Sequence, residues 1–90
     1  MQVNWKGLKS PADVRQALQA VLPEQATVAE AQDALRRQRF ECSDLVEGVL
    51  HCSINAGNKW LFARRKWLLQ LYFENGRLSR INVREGLTGP

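Results

Sequence analysis

The sequence predicts an α+β domain in which two N-terminal helices pack on one face of a three-stranded antiparallel sheet. Three observations predict it. Apolar residues recur at spacings of three and four in the first 40 residues, behind clear helix-start signals. From residue 49 the apolar period changes to two. Helical and strand patterns are segregated along the chain, which favours α+β over a parallel α/β sheet.

A chain of 90 residues makes one domain. Its expected parts are an N-terminal segment (1–9), a first helix (10–22), a second helix (27–39), an antiparallel sheet (49–84) and a tail (85–90). A domain of this size buries only about 60–65% of the surface its unfolded chain exposes, so a covalent staple would matter.

The first helix starts at Ser10-Pro11-Ala12-Asp13. Ser10 is a capping residue, Pro11 suits the first helical position, and Asp13 favours the positive end of the dipole. Val14, Ala17, Leu18, Val21 and Leu22 form one apolar stripe, and Pro23 ends it. The second helix opens on the capping box Thr27-Val28-Ala29-Glu30. Val28, Ala31, Ala34 and Leu35 form its stripe. Arg36, Arg37 and Arg39 occupy its last turn, where cations suit the negative dipole end, and Phe40 leaves toward the core.

The first strand alternates from Val49 to Asn55, with Leu50, Cys52 and Ile54 on one face. Ala56-Gly57-Asn58-Lys59 reads as a turn. The second strand runs from Lys66 to Phe73, with Trp67, Leu69, Leu71 and Phe73 inward; Trp60 to Arg65 reads equally as strand, bulge or loop. Glu74-Asn75-Gly76 joins it to a third strand, Leu78 to Arg84. A three-residue loop with Gly76 left-handed is expected. It pairs Phe73 with Arg77 and sets Leu69 opposite Ile81 and Trp67 opposite Val83. A two-residue Asn-Gly turn would slip the register by one and oppose Leu71 to Arg80.

Cys42 and Cys52 are expected to be bonded, stapling the helix layer to the sheet. The placement is a helix exit facing an inward strand position, and the bridge implies an oxidising compartment. The alternative is a cytosolic protein with two reduced, buried cysteines. No apolar run approaches the roughly 18 residues that span a membrane. Residues Met1 to Lys6 lack the apolar core of a secretory signal, so an exported form would be a mature fragment with Met1 added.

No catalytic constellation is visible, so no enzyme, cofactor or metal is expected. The lone histidine, His51, neighbours Cys52 on a strand and so points to the opposite face. That separates any base from the thiol and prevents both from ligating one ion easily. Glycine-rich phosphate loops are absent.

The net charge of +4 is unevenly placed. Lys59, Arg64, Arg65, Lys66, Arg77, Arg80 and Arg84 face only Glu74 across residues 59–84. Such a half suits an anionic partner, or serves as a solvated basic face. Alternation puts Trp60, Phe62, Arg64, Lys66 and Tyr72, with Leu68 and Gln70, on the outer sheet face if Trp60 continues the strand. The third strand adds Leu78, Arg80, Asn82 and Arg84. In a two-layer fold nothing covers this face. Trp60, Phe62, Arg64, Lys66, Tyr72, Leu78, Arg80 and Arg84 are therefore the candidate partner-binding residues. An exposed edge strand could add main-chain pairing. The competing placement folds Trp60 and Phe62 back against the core edge.

The capped helix at Thr27–Glu30, the Phe40-Glu41-Cys42-Ser43 exit, the Leu50-His51-Cys52 strand and the hairpin from Trp67 to Val83 resemble small bacterial envelope proteins. The order of elements is similar to the BamE/SmpA outer-membrane assembly factors and to the repeats of β-lactamase inhibitor protein, at the level of pattern over residues 27–84. The resemblance implies a non-catalytic periplasmic or secreted binding module with a protein partner, assembly-factor-like or inhibitor-like, monomeric or weakly dimeric. The alternative is a basic domain that stacks single-stranded nucleic acid on Trp60, Phe62 and Tyr72 beside Arg64, Lys66 and Arg80. Reduced cysteines would favour that alternative and a cytoplasmic location.

Overall fold

A computed structural model describes residues 2–60 and 63–88, and of residues 58–60 the backbone alone. It is α+β. Helix α1 (Pro11–Val21) and helix α2 (Val28–Arg37) precede an antiparallel sheet of β1 (Glu41–Cys42), β2 (Val49–Trp60), β3 (Ala63–Glu74) and β4 (Arg77–Thr88), in the spatial order β1-β2-β3-β4. The sheet thus has four strands where three were expected. The additional one, β1, is two residues long, too short for any periodicity to reveal.

Both helices begin as their caps require. The Ser10 hydroxyl accepts from the Asp13 N–H at 3.2 Å. Thr27 and Glu30 form the full reciprocal capping box, at 3.2 and 2.9 Å. The Thr27 backbone N–H, then its hydroxyl, hold the Glu30 carboxyl below its ordinary value. Helix α2 ends two residues early. Arg39 lies outside it in the left-handed region (φ 71°), and Phe40 N–H reaches back to the Leu35 carbonyl at 2.9 Å while Arg39 N–H reaches Arg36. This is a Schellman stop, with an arginine where glycine is usual. It turns Phe40 into the core.

The core is continuous from the helix stripes to the inner sheet face. Val14 and Leu18 from α1, and Ala31 and Leu35 from α2, bury against Leu50, Cys52, Trp67, Leu69, Leu71 and Val83. The N-terminal segment belongs to this core. Trp5, in a short 3-10 turn, is buried edge-on against Phe40, with ring centroids 4.9 Å apart. Trp67 Nε1–H donates to the Trp5 carbonyl at 2.9 Å. Gln38, only 5% exposed, accepts from both Val3 N–H and Trp5 Nε1–H. Burying an amide oxygen is tolerable because these donors satisfy it.

The β3–β4 turn differs from the expected three-residue loop. Glu74 pairs with Arg77 around Asn75-Gly76, whose φ values of 53° and 76° define a type I′ turn. A bulge at Ser79 adds a second one-residue slip at once, which restores the facing of the side chains but not the expected pairing. Phe73 opposes Leu78, but Tyr72 opposes Arg80. Leu71 then faces Ile81, Leu69 faces Val83, and Trp67 faces Glu85. The pairing differs by two residues from that expected, so the inner and outer sides of β3 and of β4 beyond the bulge are unchanged.

Two further boundaries move. Ala56-Gly57-Asn58-Lys59 does not turn; β2 runs through it, with register shifts around Asn58. Gly57 takes φ 83°, and its N–H is held by the Asn55 side chain at 2.9 Å. The glycine marks a bulge rather than a turn. Strand β4 continues through Thr88, so residues 85–88 are not a tail. Gly86 is accommodated because Leu68 lies over it: a Cβ there would stand 2.9 Å from Leu68 Cδ1.

Candidate interaction face

Cys42 and Cys52 are bonded, with Cα atoms 4.0 Å apart and directly opposed in the β1–β2 pair. The bond therefore joins neighbouring strands within the sheet instead of bridging two layers. Ser43 N–H donates to the His51 carbonyl at 2.8 Å, which places the cysteines at the adjacent non-hydrogen-bonded position where side chains lie closest. The closed loop ends in a second type I′ turn at Glu47-Gly48, with φ 51° and 77°. Val46 and Val49 exchange two backbone hydrogen bonds across it.

All helices pack on one side of the sheet, and the other side carries a defined set of side chains. Read across the strands, the rows are Val49–Tyr72–Arg80, His51–Gln70–Asn82, Ser53–Leu68–Arg84 and Asn55–Lys66–Gly86. Glu41 continues the third row on β1. The Arg80 guanidinium lies over the Tyr72 ring at 4.1 Å. Tyr72 O–H and Asn82 Nδ2–H both donate to Gln70 Oε1, at 3.3 and 2.9 Å. The centre of the face is thus held in one arrangement by a cation–π contact and a shared acceptor. A shallow groove crosses it, lined by Glu41, Ser53, Leu68, Gln70 and Arg84.

Of the residues expected here, Arg64, Lys66, Tyr72, Arg80 and Arg84 lie on this face. Leu78 does not. The two-residue Asn75-Gly76 turn sets Leu78 opposite Phe73 on the core side, the Ser79 bulge returns Arg80 to the outer face, and Leu78 N–H donates to the Ala26 carbonyl at 2.8 Å. The backbone of Trp60 pairs with Ala63; its side chain, and Phe62 entirely, lie outside the described residues.

Sequence reasoning missed two contributors. Glu41 joins the face through a strand of two residues. Arg65 lies on the inner side, at 15% side-chain exposure, and donates to the carbonyls of Lys6 and Leu8 at 3.1 Å each. It also lies 4.8 Å from the Trp67 ring centroid and 3.6 Å from Glu85. The signal was present, since extending the inward series Phe73, Leu71, Leu69, Trp67 by two reaches Arg65.

Arg64, Lys66, Arg80 and Arg84 make the face cationic, with Glu41 and Glu74 at its margins. Among the described residues no three His, Cys, Asp or Glu side chains gather as metal ligands, and no helix is long and apolar enough to cross a membrane. No family model, curated protein or solved structure matches the chain.

Proposed function

We propose that this protein is a non-catalytic interaction module of an oxidising compartment, periplasmic or secreted, and that it binds an acidic protein surface through the outer sheet face. One observation carries the reading: on a face that no described helix covers, Tyr72, Gln70, Asn82 and Arg80 are already tied into one arrangement. Pre-organised aromatic and arginine side chains lose little rotamer freedom on binding, and these residue types dominate interface energetics. The cationic excess selects the sign of the partner. The disulfide supports the compartment. It also occupies both sulfurs, so no thiol serves as a nucleophile. The assembly-factor-like or inhibitor-like role implied by the BamE/SmpA resemblance is part of this proposal and rests on the pattern of residues 27–84.

Single-stranded nucleic acid is the competing ligand. It needs open rings on which bases stack. Tyr72 is the aromatic residue of this face among the described side chains, and a guanidinium lies over its ring.

Co-purification from an extract of the source organism, with and without nuclease, tests the choice. A nuclease-resistant complex with one acidic protein is expected, and it should be lost in the Tyr72→Ala/Arg80→Glu double variant. A complex destroyed by nuclease, or binding to single-stranded RNA whose affinity falls steeply with salt, would transfer the face to nucleic acid.

A further inference from the structure

Strand β4 ends the sheet on its side, so alternate residues present backbone N–H and C=O groups away from β3. The hydrogen bonds identify which ones. Phe73 N–H donates toward β2, to the Gly48 carbonyl, and opposite it Leu78 N–H donates away from β3, to Ala26. Antiparallel pairs alternate between the two orientations. Leu71 and Leu69 therefore repeat the orientation of Phe73, and their partners Ile81 and Val83 aim their backbone groups at the open side. Among the described residues no hydrogen bond reaches Ile81 or Val83 from that side.

Among the described residues, main-chain pairing covers only the beginning of this edge, beside which α1 packs. Thr27 bridges Arg77 in antiparallel fashion, and Ala26 accepts from Leu78. Farther on, Glu85 points inward to Arg65, an inward charge of the kind that blunts an edge. Between these ends no described strand pairs with Arg80 to Arg84, along which Arg80 and Arg84 are exposed, Ile81 and Asn82 half-buried and Val83 buried. Their flanks are basic. Arg80 and Arg84 stand on the outer side, and Arg15 of α1 lines the groove that also contains Tyr72, Arg80, Ile81 and Asn82. Glu24 is the carboxylate of the neighbouring groove, beside Leu78 and Ser79. A second copy is a poor occupant: antiparallel pairing about Asn82 would set Arg80 against Arg84, a like-charge pair. An acidic strand turns the same positions into attractive pairs.

We propose that β4 from Arg80 to Arg84 is a docking edge for an extended acidic segment of the protein partner, which adds to the sheet as a further strand. This rests on the protein-interaction reading above and specifies its geometry. Acidic side chains of the segment lie beside Arg80 and Arg84, and small apolar ones lie beside Ile81 and Val83. The main chain supplies hydrogen bonds and the alternate side chains supply selectivity.

The probe is a blocked heptapeptide of alternating aspartate and valine, titrated into isotopically labelled, disulfide-intact protein and followed by NMR and amide hydrogen exchange. At saturation the Ile81 and Val83 amides should exchange at least ~tenfold more slowly. Arg84→Glu should weaken binding by about tenfold. Methylating the valine amides of the peptide, which removes the donors facing β4, should do the same. Shifts confined to Lys66, Gln70 and Tyr72, with Ile81 and Val83 unprotected, would overturn the edge proposal while leaving the outer-face reading intact. No binding, or equal binding of a lysine–valine peptide, would also overturn the edge proposal. The outer-face reading fails separately, if cross-linkers on that face capture no protein.

Discussion

Removing the Cys42–Cys52 bond should lower stability by about 3 kcal/mol. The bond closes a loop with a sequence separation of 10, for which the chain-entropy relation gives roughly that value. Little else would hold the loop. Strand β1 has two paired residues, and the loop adds the Ser43–His51 bond and the Val46–Val49 turn. For a domain of 90 residues, about 2 cal/mol/K of unfolding entropy per residue converts this loss into a fall in Tm of ~15 °C. The assay is thermal unfolding by circular dichroism of the native protein with and without a phosphine reductant, beside the Cys42→Ala/Cys52→Ala variant. Alanine avoids placing a hydroxyl at Cys52, which is 4% exposed. Reduced protein and double variant should melt together, well below the oxidised form. A shift of less than ~3 °C in both would mean that the loop is held by its turn and packing, with no stabilisation from the disulfide.

Leu71→Ala and Leu69→Ala should each cost about 2–5 kcal/mol in denaturant unfolding, since both are fully buried, whereas Tyr72→Ala should cost under ~1 kcal/mol. Midpoints in the reverse order would mean that the two sheet faces are exchanged. Arg39→Gly should stabilise by about 0.5–1 kcal/mol, because a left-handed position favours glycine; a loss would contradict the Schellman geometry. The capping box should contribute pH-dependent stability. The Glu30 carboxyl is lowered from its ordinary 4.5, so its contribution is present above that value and is lost as pH falls through the lower folded value. Glu30→Gln should flatten the acid limb of the stability profile in that window, and an unchanged limb would show that the box does not persist in solution.

The helix starts, the inner series Leu50, Cys52, Trp67, Leu69 and Leu71, and the alternation of the outer face were legible because each rests on local chemistry or strict period. What escaped was set by tertiary contacts or by glycine. Gly57 fell in an expected turn and residues 85–90 in an expected tail, yet Gly57 sits in a bulge and Gly86 beneath Leu68, so β2 and β4 run on. Nothing local announces that the slip of the Asn75-Gly76 turn, which sets Leu78 opposite Phe73, will be followed by a second at Ser79, which returns Arg80 to the outer face. Trp5 acquires its place from Gln38, Phe40 and Trp67, all distant in sequence. The cysteine pair was legible as a pair, but its location within the sheet depended on the two-residue β1.

Site-specific photo-crosslinking probes the outer sheet face in its native surroundings. A benzophenone amino acid is placed at Lys66, at Tyr72 and, as a control on the exposed helix surface, at Arg36, and irradiated in cells of the source organism. A discrete adduct with one acidic protein, identified by mass spectrometry, is expected from positions 66 and 72, and none from position 36. Adducts with nucleic acid, no adduct from the outer face, or equal capture from Arg36 would contradict the assignment of this face as the protein-binding surface.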